Sequence, residues 1–519
     1  MSPPRLSVAP AGSAEATFSV FVAGQGRSVA SITEAVRSVA RQTCEVWDIV
    51  CVIDDDNAAA VRAAVTTSPD TAQVRIVSPS GDEAAVLNQA LAEIRGDYLV
   101  WLDASAALMP DALGTVAQVL NRFHGTGLVY GDDERTAAGH GRVRTSRPEF
   151  SPVRLRSQDY LGAVRIFRAS TVRAIGGFRT GVSEVRGWDL ALRATAHKIR
   201  VIHIPDVLCV VDGSLAHRGA AVAANSVRAV GDHLHSIGID AVVSAQPSGV
   251  LNIRYPLQTK PLVSILIPTR GSSGRARGRD RTFVVEAVRG IIERSSYPNV
   301  EFVVVADDET PQSVIDELVA LAGERLRLVR WSKAFNFSGK MNRGAVHARG
   351  EYLLLLNDDI DLITPDWIET MLGLVQQPGI GCAGTLLFFD DGTIQHGGHL
   401  YRDGHAGHIA LGWSPGEDDA LGSLAVDREV SGVTAACAIV SAELFWKVGG
   451  FSTLLPGNYN DVDFAMKIRA AGDSIVWTPH ARLFHFESKS RVATIAPSEL
   501  QALQRRWGNR LQLDPYWLE

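Results

Sequence analysis

A chain of 519 residues predicts about two large domains or three average ones. Hydrophobic residues make up 46% of the chain and charged residues 21%, a composition that is typical of globular proteins and excludes overall disorder. The net charge of −6 argues against a nucleic-acid partner, because such binders usually carry a strongly basic domain.

The cysteines and the apolar stretches bear on the compartment. The five cysteines are scattered and form no CxxC pair, so we expect neither a disulfide framework nor a cysteine zinc site. A reducing compartment fits this pattern best. Residues 1–16 lack the unbroken apolar stretch of a signal peptide, and no apolar run reaches the length of about 18 residues that a spanning helix needs. We therefore expect a cytoplasmic protein, either soluble or peripheral at the inner face of the plasma membrane.

The predicted elements begin after the tail at 1–16. A strand at Phe18–Ala23 is followed by a helix and a second apolar strand within 47–54. Residues 87–113 then read as an amphipathic helix, a glycine and an apolar strand that ends in a polar turn. This alternation predicts a mostly parallel sheet covered by helices, whose ligands bind beyond the carboxyl ends of the strands.

The same pattern returns in the second half of the chain. Residues 341–368 resemble 87–113 at an offset of 254 residues, and 463–467 resemble 189–193 at an offset of 274. The sequence therefore predicts two copies of one α/β domain. The expected boundaries are a first domain at 17–245, a linker at 246–260, a second domain at 261–491 and a C-terminal extension at 492–519.

Two carboxylates follow a predicted buried strand of the second copy, Tyr352–Leu356. Asn357 is followed by Asp358 and Asp359, whose mutual repulsion must be offset. A hard divalent cation does this well, because Mg²⁺ and Mn²⁺ prefer oxygen ligands. A solvated turn that caps a helix explains the same residues.

Two later clusters are equally ambiguous when each is taken alone. Residues 457–464, GNYNDVDF, precede a helix, which one aspartate could cap. Residues 483–491, LFHFESKSR, place His485 in an apolar run, where a histidine is more often a core residue than a ligand. The three clusters together are far more specific than any one of them.

Ordered motifs give the chain a family resemblance. They are VSILIPTR, FNFSGKMNRG, YLLLLNDDI, DGTIQHGG, VTAACAIVSAELFWKVGGF, NDVDFAMKIRAAG and TPHARLFHFESKSR in the second half, with FSPVRLRSQDYLG, IGGFR and IHIPDVL in the first. The chain resembles bacterial two-domain family 2 glycosyltransferases that act in O-antigen, capsule or cell-wall polysaccharide assembly. The resemblance implies two tandem Rossmann-like domains of the type A fold, each a mostly parallel sheet flanked by helices.

The resemblance also implies roles for individual residues. Asp461 matches the catalytic base, and Asp359, Asp358 and His485 match the residues that hold Mg²⁺ or Mn²⁺. Asp307 is chosen as the nucleobase ligand by assuming a one-residue shift from Ala306. The residues assigned to the nucleotide-sugar donor are Thr269, Asp307, Asn336, Lys340, Asn342, Asp358 and Arg491. Those assigned to the acceptor side are Asn460, Asp463, His396 and Trp413.

The repeat predicts that only the second copy is active. The first-copy counterparts of Asp358, Asp359, Asp461 and His485 are Ala104, Ser105, Gly187 and Val211. None of these ligates a metal well, and none is a plausible base. Asp103 remains in the first copy, but it aligns with Asn357 and restores no carboxylate pair. We therefore expect the first domain to be degenerate and non-catalytic.

The expected activity is inverting transfer of a sugar, rhamnose or another hexose, from a nucleotide diphosphate to a hydroxyl of a lipid-linked glycan. Three alternatives stay open: a dinucleotide-dependent oxidoreductase, a sugar nucleotidyltransferase, and a non-catalytic glycan-binding scaffold. The first has weak support, because Val29 replaces the last glycine of its GxGxxG pattern. The arginine-rich stretch 270–281 is either a solvated mobile loop or a contact for the donor diphosphate or an anionic lipid-linked acceptor.

Overall fold

The computed structural model describes residues 16–44, 46–66, 74–78, 83–137, 141–212, 220–486 and 496–518. The chain divides into two compact units. The first contains the described residues up to Gly238 together with Val243–Leu251, and the second contains Ile239–Val242 and Asn252–Leu518. Within the described ranges, no helix has the length and apolar character needed to cross a membrane.

The first unit is an α/β unit built on one large sheet. Its elements are β1 (Phe18–Ala23), α1 (Val29–Ala40), β2 (Val46–Val52), α2 (Asp55–Thr66), β3 (Val74–Val77), α3 (Glu83–Glu93), β4 (Tyr98–Asp103), β5 (Ala106–Leu108), α4 (Ala112–Arg122), β6 (Thr126–Ala137), β7 (Gly141–Thr145), α5 (Pro152–Ser157), β8 (Val164–Arg168), α6 (Ala169–Ala174), α7 (Arg186–Ala196), β9 (Arg200–Val211) and α8 (Ala220–Ser236). The strand order is β3-β2-β1-β4-β8-β6-β9-β5, with β7 added beside β6.

The second unit repeats this architecture. A short sheet of β10 (Val242–Ala245) and β11 (Leu251–Arg254) comes before it in the chain. Its elements are β12 (Val263–Thr269), β13 (Ser273–Ala276), β14 (Arg279–Thr282), α9 (Phe283–Arg294), β15 (Val300–Asp307), α10 (Gln312–Ala322), β16 (Leu326–Trp331), α11 (Phe337–His347), β17 (Tyr352–Leu356), β18 (Ile360–Leu362), α12 (Trp367–Val375), β19 (Ile380–Phe388), β20 (Ile394–His396), β21 (His399–Arg402), β22 (His405–His408), β23 (Arg428–Val430), β24 (Cys437–Ser441), α13 (Ala442–Lys447), α14 (Asn460–Ala470), β25 (Ser474–His485) and α15 (Pro497–Trp507).

The two large sheets have the same strand order. In the second sheet it is β16-β15-β12-β17-β24-β19-β25-β18, which matches the first sheet strand for strand. The registers agree as well, since Phe18 pairs with Tyr98 in the first sheet and Val263 with Tyr352 in the second, both in parallel. The predicted tandem α/β fold is therefore confirmed.

Burial explains why the central strands read as apolar runs. Every residue of β15 except Asp307 is buried, as expected for a parallel strand covered by helices on both faces. The glycine that precedes the fourth strand of each sheet is equally constrained. A Cβ at Gly96 would lie 2.5 Å from the Ser19 nitrogen, and one at Gly350 would lie 2.7 Å from the Ser264 nitrogen. Only glycine permits this close approach to the neighbouring strand.

Three segments differ from the simplest expectation. The predicted linker 246–260 contains the strand β11. The C-terminal extension contains α15 and adds to the second unit, where the Asp514 carboxylate accepts the amide hydrogens of Tyr401 and Trp517. The arginine-rich stretch is a β-hairpin of β13 and β14 rather than an irregular loop. Ala276 anchors this hairpin in a small apolar cluster.

Candidate active site

The carboxyl ends of β12, β15 and β17 bring four predicted donor residues together. The Thr269 hydroxyl donates a hydrogen bond of 2.6 Å to Oδ2 of Asp358. Nζ of Lys340 lies 2.5 Å from Oδ1 of Asp307 and 3.4 Å from the carbonyl oxygen of Thr269. Asp307 ends its strand half-buried, whereas the neighbouring Ala306 is fully buried. The geometry thus favours Asp307 over Ala306 as a side chain that can meet a ligand.

Burial dominates the electrostatics of this edge. It lowers the pKa of Lys340, although the Asp307 carboxylate opposes the shift. It raises the pKa of Asp358, and the negative charge of Asp359 raises that pKa further. Two adjacent carboxylates are thus held where one of them is difficult to ionise. A cation or a hydrogen-bonded ligand would relieve this repulsion.

The second pair of predicted metal residues meets across β18 and β25. Ile360 pairs with His485 in these strands, which places the histidine beside Asp359. Nε2 of His485 lies 3.1 Å from Oδ1 of Asp359 and 3.0 Å from the side-chain nitrogen of Asn357. Burial acts to raise the pKa of Asp359, but the charge and hydrogen bond that His485 offers when its ring is protonated outweigh it, and the pKa lies below its usual value.

This donor set is compatible with a divalent cation that also binds a nucleotide diphosphate. Asp359 supplies a carboxylate oxygen and His485 an imidazole nitrogen, and both side chains are buried. Mg²⁺ typically takes only one or two protein carboxylates and completes its shell with water and phosphate oxygens. Within the described ranges, no three His, Cys, Asp or Glu side chains form a group that could hold a metal ion.

Asp461, the predicted base, lies in the first turn of α14. Its Oδ1 accepts the backbone amide hydrogen of Val462 at 2.9 Å, and its Oδ2 accepts that of Ala435 at 3.4 Å. Nε2 of His399 lies 3.7 Å from Oδ2. Burial acts to raise the pKa of Asp461, but the nearby imidazoles of His399 and His408 and the amide hydrogen bond from Val462 outweigh it and lower the pKa to about 2. The carboxylate is therefore ionised at neutral pH and able to accept a proton.

One short loop joins the two halves of the site. The backbone amide of Asn357, which follows β17, donates to the carbonyl oxygen of Ala436 at 3.0 Å. The adjacent Ala435 donates its own amide hydrogen to Asp461. The acidic turn at Asp358 and Asp359 and the base thus flank the same loop. This arrangement fits a reaction in which a metal-bound group leaves while a nearby hydroxyl is deprotonated.

Asn342 has a structural role that the sequence did not suggest. Its side-chain amide donates to the carbonyl oxygen of Phe451 and accepts the amide hydrogen of the same residue, both at 2.8 Å. In the first unit Asn88 makes the same two bonds to Phe178, also at 2.8 Å. Asn336 is also engaged, since it caps α11 through the Gly339 amide at 2.7 Å. These contacts give both asparagines a scaffold role.

Replacing Asn342 with alanine tests this role. We expect the second unit to lose about 1–3 kcal/mol of unfolding free energy, because two backbone groups of Phe451 lose their partner. Urea unfolding of the full chain would measure the loss. Asn88→Ala is the matched control and should destabilise the first unit by a similar amount. A loss of donor affinity without loss of stability in Asn342→Ala would instead support a ligand role.

The predicted acceptor residues do not form one surface. Asp463 is 1% exposed and accepts hydrogen bonds from Arg506 at 2.9 Å and from Trp507 Nε1 at 2.8 Å. Its counterpart Asp189 is equally buried and paired with arginines, so the aspartate at this position is a structural hub in both units. These contacts indicate a scaffold role for Asp463, and its assignment to the acceptor side stays a prediction.

The other predicted residues vary in position. His396 is 1% exposed and its Nε2 accepts the amide hydrogen of Thr434 at 3.1 Å. Trp413 packs edge-on against Trp517, with ring centroids 6.1 Å apart. Asn460 begins α14 directly before the base and is 6% exposed, and its assignment to the acceptor side stays a prediction. Arg491 lies outside the described residues.

Two contacts of the site were missed from the sequence. Gln395 accepts a hydrogen bond from His485, and His399 faces Asp461. Gln395 lies in the DGTIQHGG segment and His399 directly follows it, and only His396 attracted attention there. The signal was a cluster of polar residues in a family motif, but their partners lie 62 to 90 residues away in the chain.

The first unit fills the corresponding space with other side chains. A Cβ at Gly187, the counterpart of Asp461, would collide with Nη1 of Arg165 and lie 2.8 Å from Trp101. Arg165 is held by Asp159 at 2.6 Å. The counterpart of His485 is Val211, which pairs with Ala106 as His485 pairs with Ile360. The positively charged guanidinium of Arg165 thus occupies the place of the base in the first unit. No carboxylate–histidine pair is formed at the counterparts of Asp359 and His485.

Comparisons with known proteins follow the same division. The sequence model of the family Glycosyl transferase family 2 matches residues 20–175 and 264–449, one stretch in each unit. The uncharacterized protein y4gI of Sinorhizobium fredii is 31% identical over 530 residues, which cover 96% of this chain and 57% of that protein. The O-antigen biosynthesis protein RfbC of Myxococcus xanthus is 31% identical over 484 residues, covering 91% of this chain and 37% of that protein. The chain thus spans well under two thirds of either relative.

Solved structures show weaker similarity. A crystal structure of GalNAc-T7 with UDP, GalNAc and Mn²⁺ aligns with a TM-score of 0.40 at 13% identity, over 51% of this chain and 52% of that chain. The mannosyltransferase PcManGT from Pyrobaculum calidifontis, in complex with GDP-Man and Mn²⁺, aligns with a TM-score of 0.34 at 21% identity. That alignment covers 47% of this chain and 69% of the mannosyltransferase.

Proposed function

The chain belongs to glycosyltransferase family 2, and from this premise we propose that its second unit transfers a sugar from a nucleotide diphosphate to a hydroxyl of a glycan acceptor. The observation that carries the proposal is the convergence of Asp359, His485 and Asp461 around one loop of the second unit. The counterparts of these residues in the first unit are Ser105, Val211 and Gly187.

The donor would lie at the edge formed by the carboxyl ends of β12, β15 and β17. Asp307 is suited to hydrogen-bond the nucleobase, with Lys340 beside it at 2.5 Å to balance its charge. Thr269 fixes Asp358 by its 2.6 Å hydrogen bond, so that the carboxylate keeps its orientation when the donor enters. Each group is buried or half-buried, which lets a small number of polar contacts decide specificity.

Asp359 and His485 would hold Mg²⁺ or Mn²⁺ at this edge. When bound, the cation supplies Lewis-acid neutralisation of the charge that develops on the leaving diphosphate. Carboxylate oxygen suits both ions, and Asp358 stands next to the pair. The imidazole nitrogen of His485 is a softer ligand, which fits Mn²⁺ better than Mg²⁺. The tendency of burial and of Asp359 to raise the pKa of Asp358 would be offset by the charge of the ion.

Asp461 would act as the general base. Its ionised Oδ2 accepts the proton of the acceptor hydroxyl while the oxygen forms a bond to the anomeric carbon. The bond from that carbon to the diphosphate oxygen breaks on the opposite face, so one displacement inverts the anomeric centre. The amides of Val462 and Ala435 hold the carboxylate in place before the acceptor arrives.

The first unit would be non-catalytic. Arg165 and Trp101 leave no room for a carboxylate at position 187, and the guanidinium would repel a proton rather than accept it. The name of the Myxococcus xanthus relative, an O-antigen biosynthesis protein, suggests polysaccharide assembly as the setting. Rhamnose or another hexose is the proposed transferred sugar. A cytoplasmic location, peripheral at the membrane face where lipid-linked glycans are built, fits this setting.

A panel of nucleotide sugars with Mg²⁺ or Mn²⁺ tests the proposal. We expect one or a few donors to be hydrolysed slowly to the free sugar and the nucleotide diphosphate, and faster when an acceptor glycan is present. Pyrophosphate release would favour a sugar nucleotidyltransferase. Absence of turnover with every donor and acceptor would favour a glycan-binding scaffold and would contradict the proposed activity.

The arginine hairpin of β13 and β14 is the proposed contact for an anionic lipid-linked acceptor. The side chains of Arg277 and Arg281 are engaged by the protein: the Arg277 guanidinium lies over the Phe484 ring, 4.1 Å from its centroid, and Arg281 lies 3.4 Å from Asp361. Arg275 and Arg279 are exposed on the hairpin. These two side chains are therefore the ones that could meet a phosphate group outside the protein.

Replacing Arg275 and Arg279 with glutamine should weaken binding to vesicles of anionic lipid. Two arginines near such a surface contribute about 1 kcal/mol each, so the expected loss of affinity is on the order of 10–30-fold. Vesicle co-sedimentation would measure it. The same charge change at two other exposed arginines, Arg330→Gln with Arg343→Gln, is the control. An equal loss in both double variants, or a matching loss of activity on a soluble acceptor, would contradict the assignment.

A further inference from the structure

Gln395 lies directly behind the histidine of the proposed metal pair. It sits in β20, is 3% exposed, and its Oε1 lies 2.7 Å from Nδ1 of His485. Its side-chain nitrogen faces the backbone carbonyl oxygen of the same histidine at 3.5 Å. The amide thus spans the ring and the main chain of one residue, although 90 positions separate the two in the sequence.

The carbonyl group determines the orientation of this amide. A backbone carbonyl oxygen can only accept a hydrogen bond, so the NH₂ group of Gln395 must be the end that faces it. Oε1 must then be the atom that faces Nδ1 of His485. Because an amide oxygen only accepts, Nδ1 must carry the hydrogen of the 2.7 Å bond. In a neutral imidazole this leaves the lone pair on Nε2.

Nε2 is the nitrogen that points at the proposed metal position. It lies 3.1 Å from Oδ1 of Asp359. Without a partner at Nδ1, the Asp359 carboxylate would draw the ring hydrogen to Nε2, because a hydrogen bond from N–H to a carboxylate is charge-assisted. A hydrogen on Nε2 would block coordination. The hydrogen-bond acceptor behind Nδ1 therefore competes with Asp359 for the position of that hydrogen, and the Asn357 side-chain nitrogen, 3.0 Å from Nε2, acts on the same side as this acceptor.

We propose that Gln395 is a positioning residue that keeps the hydrogen of His485 on Nδ1 and turns the Nε2 lone pair toward Asp359. The inference deepens the proposed function and rests on it for the identity of the cation. Metal-binding histidines commonly donate their second ring N–H to an oxygen acceptor, and loss of that acceptor typically costs about 10–100-fold in metal affinity. Here a neutral amide takes the place that a carboxylate often fills.

Two measurements on the full chain test this proposal. The first is nitrogen NMR of ¹⁵N-histidine protein in metal-free, alkaline buffer, with the His485 signal identified by its loss in His485→Ala. We expect the Nδ1–H form in the wild type and a shift toward the Nε2–H form in Gln395→Leu. The second is Mn²⁺ titration by calorimetry, in which Gln395→Leu should bind about 10–100-fold more weakly.

The conservative variant and a control make the outcome specific. Gln395→Glu retains an acceptor at Nδ1 and should restore both the Nδ1–H form and the Mn²⁺ affinity. Gln377→Leu removes a partly buried hydrogen bond of 2.8 Å from the side-chain amide to the carbonyl oxygen of Gly373 on α12. It should change neither readout. An unchanged His485 tautomer in Gln395→Leu overturns the proposal. If the wild type bound no Mn²⁺, the metal role in the proposed function would fail, while the NMR result would still decide the role of Gln395.

Discussion

Replacing Asp461 with asparagine is expected to reduce turnover by at least about 10²-fold and by as much as about 10⁴-fold, the range that general-base assistance typically provides. Asparagine has nearly the same shape and its oxygen can still accept the amide hydrogen of Val462, so α14 should begin as before. It cannot take a proton from the acceptor hydroxyl. The loss should therefore appear in kcat, with the KM of the donor nearly unchanged.

The control for this variant is an exposed aspartate of the same unit. Asp316 is exposed on α10 and belongs to none of the proposed site residues, and Asp316→Asn should leave kcat unaltered. Initial rates with saturating donor and acceptor would compare the two variants. Normal turnover in Asp461→Asn would show that the base is another group, and His399 would then be the first to examine because its Nε2 lies 3.7 Å from the same carboxylate.

Replacing Asp359 with asparagine is expected to weaken Mn²⁺ binding and to reduce turnover by at least about 100-fold, which corresponds to about 3 kcal/mol of transition-state stabilisation. The amide keeps the size of the side chain but removes the negative charge that pairs with His485 at 3.1 Å. Mn²⁺ titration without donor and steady-state rates over a range of Mn²⁺ concentrations would measure the two effects. High Mn²⁺ should restore part of the rate.

The first unit provides the matched control for the metal site. Ser105→Asp restores a carboxylate at the counterpart of Asp359, but Val211 still stands where His485 would be. We expect this variant to gain no measurable Mn²⁺ binding. Unchanged Mn²⁺ affinity in Asp359→Asn would contradict the assignment of Asp359 as a metal ligand. Asp358 would then be the candidate carboxylate.

The fold could be predicted because the same pattern of elements occurs twice in the sequence. The offsets of 254 and 274 residues read from the sequence reappear in the strand pairing: Ala106 pairs with Val211, and Ile360 pairs with His485. Apolar runs of strand length, and glycines where two strands approach closely, are local features of the chain. Such features can be recognised from the sequence alone. The hairpin of β13 and β14 was harder, because its arginine-rich composition suggests a mobile loop.

The repeat also bears on which predicted site residues have contacts of the shared scaffold. Asn342 and Asp463 resemble functional residues because they stand inside family motifs, yet Asn88 and Asp189 make corresponding contacts in the first unit. A residue type that both copies keep serves the shared scaffold. Asp359, His485 and Asp461 stand only in the second copy. The difference between the copies, rather than the motif itself, is thus the better guide to chemistry.

Gln395 and His399 could not be found this way. Their roles depend on partners that are distant in sequence, so only the folded chain reveals which ring nitrogen or carboxylate oxygen they face. Gln395 is a neutral residue, and neutral residues draw little attention in a search for metal ligands or bases. Its proposed role is to bind Nδ1 of His485, which leaves Nε2 of that histidine available to a metal ion.

The central claim is that one chain of two similar units carries a single active site. The most direct measurement is the turnover of the preferred nucleotide sugar by Asp461→Asn and by Asp54→Asn, which alters a carboxylate that the first unit retains at the counterpart of Asp307. The account predicts a loss of at least about 10²-fold in the former and a change within about twofold in the latter. Comparable losses in both variants, or normal turnover in Asp461→Asn, would contradict it.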